Sequence, residues 1–182
     1  MVTRILVVAA TRAEAQCVPS ALPLVVTGIG KTPAAVATAR ALAALPSPEE
    51  VYVINVGTAG ALRDSITGLH EPGVVLNHDI NADAIRALGH DPQERLVVGE
   101  SETVLATGDV FVTDPAVRTR LAASAHLVDM EGYAVAYAAA QFGARCHLVK
   151  HVSDNADETA LDWPSQVRAS AEVLGEWLRA NV

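Results

Sequence analysis

The sequence predicts a layered α/β domain in which helices cover a largely buried sheet. Three observations carry this. Short runs rich in β-branched residues recur along the chain, bounded by Gly, Pro or Asp. Several runs are apolar throughout rather than alternating, the pattern of strands buried on both faces. Ala-rich segments with recognisable starts and stops lie between them, and strands alternating with helices imply α/β layering.

The elements follow in order. Arg4–Ala10 is a continuous apolar strand, and Leu22–Thr27 is a second that ends at Gly28. Thr32–Leu45 is an Ala-rich helix that begins after Gly30 and stops before Pro46. Its Pro33 sits near the first turn, where a missing N–H costs nothing. Val51–Val56 is a buried strand, Arg63–Gly73 is irregular, Gly73–Asn77 is a strand, and His78–Glu94 bears loops. Arg95–Val98 and Val104–Thr107 are strands. Asp114-Pro115 opens a helix running to about Ser124, with Asp as N-cap and Pro at the first helical position. His126–Val128 is a short strand, and Met130–Phe142 is an Ala-rich helix stopped by Gly143. His147–Val152 is a strand, and Pro164–Ala180 is a helix with Val167, Ala171, Leu174 and Leu178 at helical spacing. No low-complexity linker or internal repeat interrupts this order, so residues 1–182 are expected to form one domain.

Composition removes several classes. The 182 residues are 51% hydrophobic and 19% charged, which excludes a disordered chain. A net charge of -8, without a basic cluster, argues against nucleic-acid binding, which needs clustered cations. Cys17 and Cys146 cannot make a disulfide scaffold and read as free thiols in a reducing cytoplasm. The apolar start is too short for a membrane helix and lacks the longer apolar region and cleavage site of a signal peptide. A soluble, cytoplasmic protein without membrane association is expected. The six histidines show no metal-ligand spacing, so neither a metal nor a cofactor is expected.

Four clusters carry possible chemistry. Gly28-Ile-Gly-Lys-Thr32 suggests a phosphate-binding loop, but Val25 stands where that motif needs its first Gly, so a tight strand-to-helix turn is the better reading. Asn55-Val-Gly-Thr-Ala-Gly60 follows a strand with small residues, where a ligand can approach the backbone. Val128-Asp-Met-Glu-Gly132 places Asp129 and Glu131 at a strand-to-helix junction. Asp129 can cap the helix, whereas Glu131 begins an apolar helix, where an unpaired carboxylate is costly. Val149–Asp157 ends a buried strand in Ser153, Asp154 and Asp157. Together with Glu14, these carboxylates at element ends suit cleavage of a glycosidic bond, which needs one acid for the leaving group and carboxylates to activate water and support a cationic sugar.

The order Ala9-Ala-Thr-Arg-Ala-Glu14, Thr27-Gly-Ile-Gly30, Asn55-Val-Gly-Thr-Ala-Gly-Ala-Leu62, Thr107-Gly-Asp-Val-Phe-Val112, Val128-Asp-Met-Glu131 and Val152-Ser-Asp-Asn-Ala-Asp157 resembles the nucleoside phosphorylase superfamily nearly end to end. The likeness is greatest to its 5'-methylthioadenosine/S-adenosylhomocysteine nucleosidases. The resemblance implies a three-layer α/β/α fold with a mixed central sheet and a homodimer. It implies hydrolysis of a purine nucleoside, with methylthioadenosine or adenosylhomocysteine as substrate and adenine as product. Asp154 would then protonate the purine at N7, Glu14 would activate water, and Glu131 would hold the ribose hydroxyls. Ser153 would position the base or the acid, Met130 would pack on the sugar, and Phe111 would stack on the purine beside the backbone of Val112. Thr58, Ala59 and Gly60 would line the sugar and water side, with Asp129 also at the site.

Some positions depart from the pattern. Lys150 stands where these nucleosidases usually carry Arg, His151 where a small residue is usual, and Asp129 where Glu is usual. The segment His78–Val104 is abbreviated. Trp163 lies near the position of an aromatic that closes over the purine. A futalosine hydrolase and a phosphorylase using phosphate are the alternatives. Arg12 keeps the phosphorylase open, while Glu14 would repel phosphate. A binding protein without turnover would not need Glu14, Glu131 and Asp154 together.

Overall fold

A computed structural model describes residues 4–182, apart from the side chains of Thr159 and Pro164. In chain order the strands are β1 (Arg4–Ala9), β2 (Leu24–Val26), β3 (Val51–Ala61), β4 (Leu69–His70), β5 (Val74–Asn77), β6 (Arg95–Val97), β7 (Val104–Thr107), β8 (Leu127–Asp129) and β9 (Arg145–Asp154). The helices are α1 (Lys31–Ala43), α2 (Ala82–Ala87), α3 (Pro115–Ala122), α4 (Gly132–Gln141) and α5 (Trp163–Asn181). All strands join one mixed sheet, ordered β2-β1-β3-β8-β7-β5-β6. Strand β9 pairs in parallel with β3, and β4 pairs antiparallel with β9.

Strand alternation builds the layers. Leu6 and Val8 of β1, with Val51 and Val53 of β3, face α1 and α4. Val7 and Ala9, with Ile54 and Val56, face α5 through Leu174 and Leu178. Both faces are therefore apolar, as the continuous runs predict. Helix α1 buries Ala34, Thr38 and Leu42, one stripe at four-residue spacing. Each fully buried Leu contributes roughly 1.5–3 kcal/mol.

The local signals act as their chemistry dictates. Asp114 caps α3, its carboxylate accepting from Ala116 N at 2.7 Å. Gly143, at φ 68°, ends α4 in a Schellman motif: Ala144 N donates to Ala139 O and Gly143 N to Ala140 O.

The differences from expectation have identifiable causes. Strand β3 runs past Val56 to Ala61, because Gly57 and Gly60 continue the strand instead of turning it. A Cβ at Gly57 would lie 3.2 Å from Glu14 Oε1 and 3.3 Å from Lys150 Nζ, and one at Gly60 would lie 2.9 Å from Asp154 Oδ1. These glycines mark close approach within a strand. The register also shifts between Ala59 and Gly60 against β9. Strand β9 begins at Arg145 and ends at Asp154, longer at both ends than expected. Strand β4 and helix α2 fall in segments expected to be irregular; α2 is held by its Asn81 cap, which accepts from Ala84 N. Helix α4 starts at Gly132, since Glu131 adopts φ -133° and acts as the N-cap residue. Among the described residues, no helix is long and apolar enough to cross a membrane.

Candidate functional site

The sheet reverses direction where β3 meets β8: Gly60 and Ala61 pair antiparallel with Val128 and Leu127. Such a switch leaves a crevice beyond the strand ends. A cavity of about 440 Å³ opens there. Every residue proposed from the sequence lines it: Glu14, Thr58, Ala59, Gly60, Phe111, Val112, Asp129, Met130, Glu131, Ser153 and Asp154. Segments more than a hundred residues apart in the chain are thus brought to one place.

Glu14 follows β1 and is 5% exposed. Its Oε2 accepts from Thr11 N at 3.1 Å and Thr11 Oγ1 at 2.9 Å. Its Oε1 accepts from Thr58 N and Thr58 Oγ1, each at 2.9 Å. Four donors hold the carboxylate in one orientation at the cavity wall. Trp163, the first residue of α5, donates its indole N–H to Thr58 Oγ1 at 2.9 Å and lines the same cavity.

Glu131 is 8% exposed, and its Oε1 accepts from Gly30 N at 2.7 Å. Gly30 has φ 100° and ψ 162°, a conformation open essentially to Gly alone. The turn that the sequence offered as plain packing therefore aims the N-terminus of α1 at a carboxylate, where the helix dipole favours negative charge. Burial and the neighbouring Asp129 nevertheless push the Glu131 carboxyl up to about 7, with Glu14 adding to the rise and Gly30 and Lys150 opposing it.

Asp154 ends β9 and is half-buried. Its Oδ2 accepts from Ser153 Oγ at 2.7 Å and its Oδ1 from Ala156 N at 2.8 Å. Phe111 and Val110 are exposed at the mouth with Ile29 and Leu161, while Val112 is buried beneath them.

Asp129 lines the cavity through its position, but its carboxylate faces inward. Its Oδ1 accepts from Thr107 Oγ1 at 2.5 Å and its Oδ2 from Gly132 N at 2.9 Å. Oδ2 also lies 2.8 Å from Lys150 Nζ, with both side chains almost fully enclosed. Lys150 donates in addition to Asn55 Oδ1 at 2.7 Å, and Asn55 Nδ2 donates to Val8 O at 3.0 Å. Burial alone would lower the Lys150 ammonium, yet Asp129, aided by Glu131 and Glu14, holds it above its ordinary value. Sequence reasoning noted Lys150 only as a departure and missed Asn55, Thr107 and Thr11 as partners. A usable signal existed: a Lys inside the apolar run Leu148-Val-Lys150 requires a buried counter-charge.

The arrangement offers carboxylates to an uncharged or cationic ligand. Among the described lining residues none is Lys, Arg or His. Arg12 is exposed and does not line the cavity. Among the described residues no group of three His, Cys, Asp or Glu is placed to hold a metal.

Known proteins share this architecture. The chain is 28% identical over 155 residues to the aminodeoxyfutalosine nucleosidase of Helicobacter pylori, an alignment covering 71% of this chain and 67% of the relative. It is 28% identical over 171 residues to the 5'-methylthioadenosine/S-adenosylhomocysteine nucleosidase of Shewanella frigidimarina, covering 77% and 71%. The crystal structure of a Helicobacter pylori nucleosidase mutant with 5'-methylthioadenosine in its active site superposes at a TM-score of 0.83, with 23% identity and coverage of 99% of this chain and 98% of that one. The native futalosine hydrolase of Helicobacter pylori superposes at 0.82, with 24% identity over 99% and 97%. These superpositions establish the nucleoside phosphorylase-like fold. With residues 82–180 also matching the phosphorylase superfamily as a family, this chain belongs to the phosphorylase superfamily.

Proposed function

We propose that this protein is a purine-nucleoside N-ribosyl hydrolase that cleaves 5'-methylthioadenosine or S-adenosylhomocysteine to adenine and the ribose product. The observation that carries this reading is one cavity lined by Glu14, Glu131 and Asp154 and by no described cation. The nucleosidase relatives support the reaction class.

The chemistry follows from the placement. A purine anion leaves poorly, so Asp154 delivers a proton to the ring at N7 as the C1'–N9 bond breaks. General acid assistance of this kind contributes roughly two to four powers of ten in rate. The sugar becomes cationic, and the buried Glu131 and Glu14 stabilise that charge. Water attacks C1', and Glu14 takes its proton. Thr11 and Thr58 fix the angle of Glu14, so its carboxylate needs little reorganisation. Ser153 holds Asp154, Met130 packs on the sugar, Ala59 and Gly60 back it, and Phe111 stacks on the base beside Val112.

That no described lining residue is a cation favours water over phosphate, because a buried phosphate needs charge-assisted donors. The reading extends to a cytoplasmic homodimer in which a partner covers the exposed Ile29, Val110, Phe111 and Leu161 at the mouth.

The test is incubation with methylthioadenosine, adenosylhomocysteine, aminodeoxyfutalosine and inosine, with and without phosphate, followed by chromatography for free base and sugar. Adenine and free ribose product at a phosphate-independent rate are expected. A sugar phosphate whose amount tracks added phosphate would make the protein a transferase, and preference for aminodeoxyfutalosine would change the substrate.

A further inference from the structure

Four buried ionisable groups meet at the cavity floor: Glu14 at 5% exposure, Asp129 at 6%, Glu131 at 8% and Lys150 at 1%. Three are acids and one is a base. The base does not reach the cavity, since its ammonium is spent on Asp129 and Asn55 behind the floor. A fully buried Lys in a β-strand is costly to place, and a purely structural site would be served as well by an apolar residue. The position calls for a functional reason.

We propose that Lys150 is a positioning residue of this site: it fixes Asp129 and supplies the positive charge that lets Glu131 meet the sugar as a carboxylate. The role given to Glu131 rests on the nucleosidase reading above. Geometry carries the argument. Lys150 is on β9, Asn55 on β3 and Asp129 at the end of β8, so one ammonium ties together three adjacent strands, of which β8 and β9 end in Asp129 and Asp154. Asp129 then donates nothing to the cavity. It accepts from Gly132 N and thereby sets the first turn of α4, directly after Glu131. Gly57 leaves the space in which Lys150 Nζ and Glu14 Oε1 both stand.

The charges facing Glu131 can be named by element. Asp129 lies on its own strand end, Lys150 on β9, Glu14 on the segment after β1, and Asp154 lines the same cavity from the end of β9. From α1 only the Gly30 N–H donates to it; the Lys31 ammonium is engaged by Asn77 and Asp79, with Asp109 near. Ionised together, the three acids and Lys150 leave a net negative floor that complements a sugar becoming cationic. Without Lys150 a third unbalanced charge would have to be taken up by a proton, and Glu131 already sits near that point.

The experiment reads the titration of Glu131 directly. Carbon-13 NMR of Glu-labelled protein would follow its side-chain carboxyl, assigned by the loss of that signal in Glu131→Gln. In Lys150→Met the midpoint should move up by about one to three pH units, the effect of losing an opposite charge a few ångströms away. Lys150→Arg should return it towards the original value, and the acid limb of the kcat/KM profile should move with it in both variants. If Lys150→Met does not fold, Asp129→Asn decides, and its midpoint should move down as a neighbouring negative charge is lost. An unmoved midpoint in folded Lys150→Met, no recovery in Lys150→Arg, or an unmoved or raised midpoint in Asp129→Asn would overturn the proposal. Failure of the unaltered protein to cleave any nucleoside would instead remove the nucleosidase reading and leave the titration result standing.

Discussion

Replacing Glu131 by Gln should make the protein more stable at high pH and less active. Burial and Asp129 raise this carboxyl from 4.5 to about 7. At about 1.4 kcal/mol per pH unit, holding its charge in the fold costs about 3 kcal/mol. Below pH 4.5 the group is protonated in both folded and unfolded chains, and its contribution is complete. Between 4.5 and about 7 the unfolded chain releases the proton while the folded chain keeps it, so stability falls with rising pH. Gln resembles the protonated form, and its amide oxygen can still accept from Gly30 N. Urea denaturation at pH 4.5 and pH 8 measures the difference. The two proteins should unfold alike at the lower pH, and the variant should gain about 3 kcal/mol at the higher one. Activity should fall, because the sugar loses a carboxylate. An equal gap at both pH values, or a more stable unaltered protein at pH 8, would refute the account of Glu131 as a strained charge kept for function.

Asp154→Asn should lower kcat by roughly two to four powers of ten while substrate binding changes little, since Asn cannot deliver a proton; rapid-quench turnover and equilibrium binding separate the two. Gly60→Ala should cost about 1–3 kcal/mol and also lower kcat, because its Cβ would lie 2.9 Å from both Asp154 Oδ1 and Ala156 Cβ; a thermally unaltered, fully active variant would contradict this. Light scattering at micromolar concentration should give about twice the 19.0 kDa chain mass, and a single-chain mass with full activity on dilution would end the shared-mouth reading.

Much of the fold was legible because its signals are local. The strand Val104–Thr107 has the bounds its apolar run predicts, and the Asp114 and Gly143 caps act where their chemistry puts them. The far half of β3 was not legible. Gly57 and Gly60 look like a turn in isolation, and only side chains distant in sequence, Lys150 and Asp154, require a strand without Cβ atoms there. Glu131 was readable as a misfit at the start of an apolar helix, and Glu14 and Asp154 as carboxylates gathered at element ends. The partners were less so: Thr11, which holds Glu14, and Thr107, which holds Asp129, are ordinary at strand ends until the fold gives them a carboxylate.

Strand β3 pairs with β1 over its first half, with β9 along nearly its whole length and with β8 at its tip, so it is the common neighbour of the segments that present Glu14, Asp154 and Glu131. The strands farthest from it are β5, just before the segment His78–Val104, and β6, within that segment. Length can therefore be trimmed or added at that edge of the sheet without re-registering the pairing that spaces the acids. A change of length there leaves the three carboxylates in place, whereas any insertion within β3 would displace all of them at once.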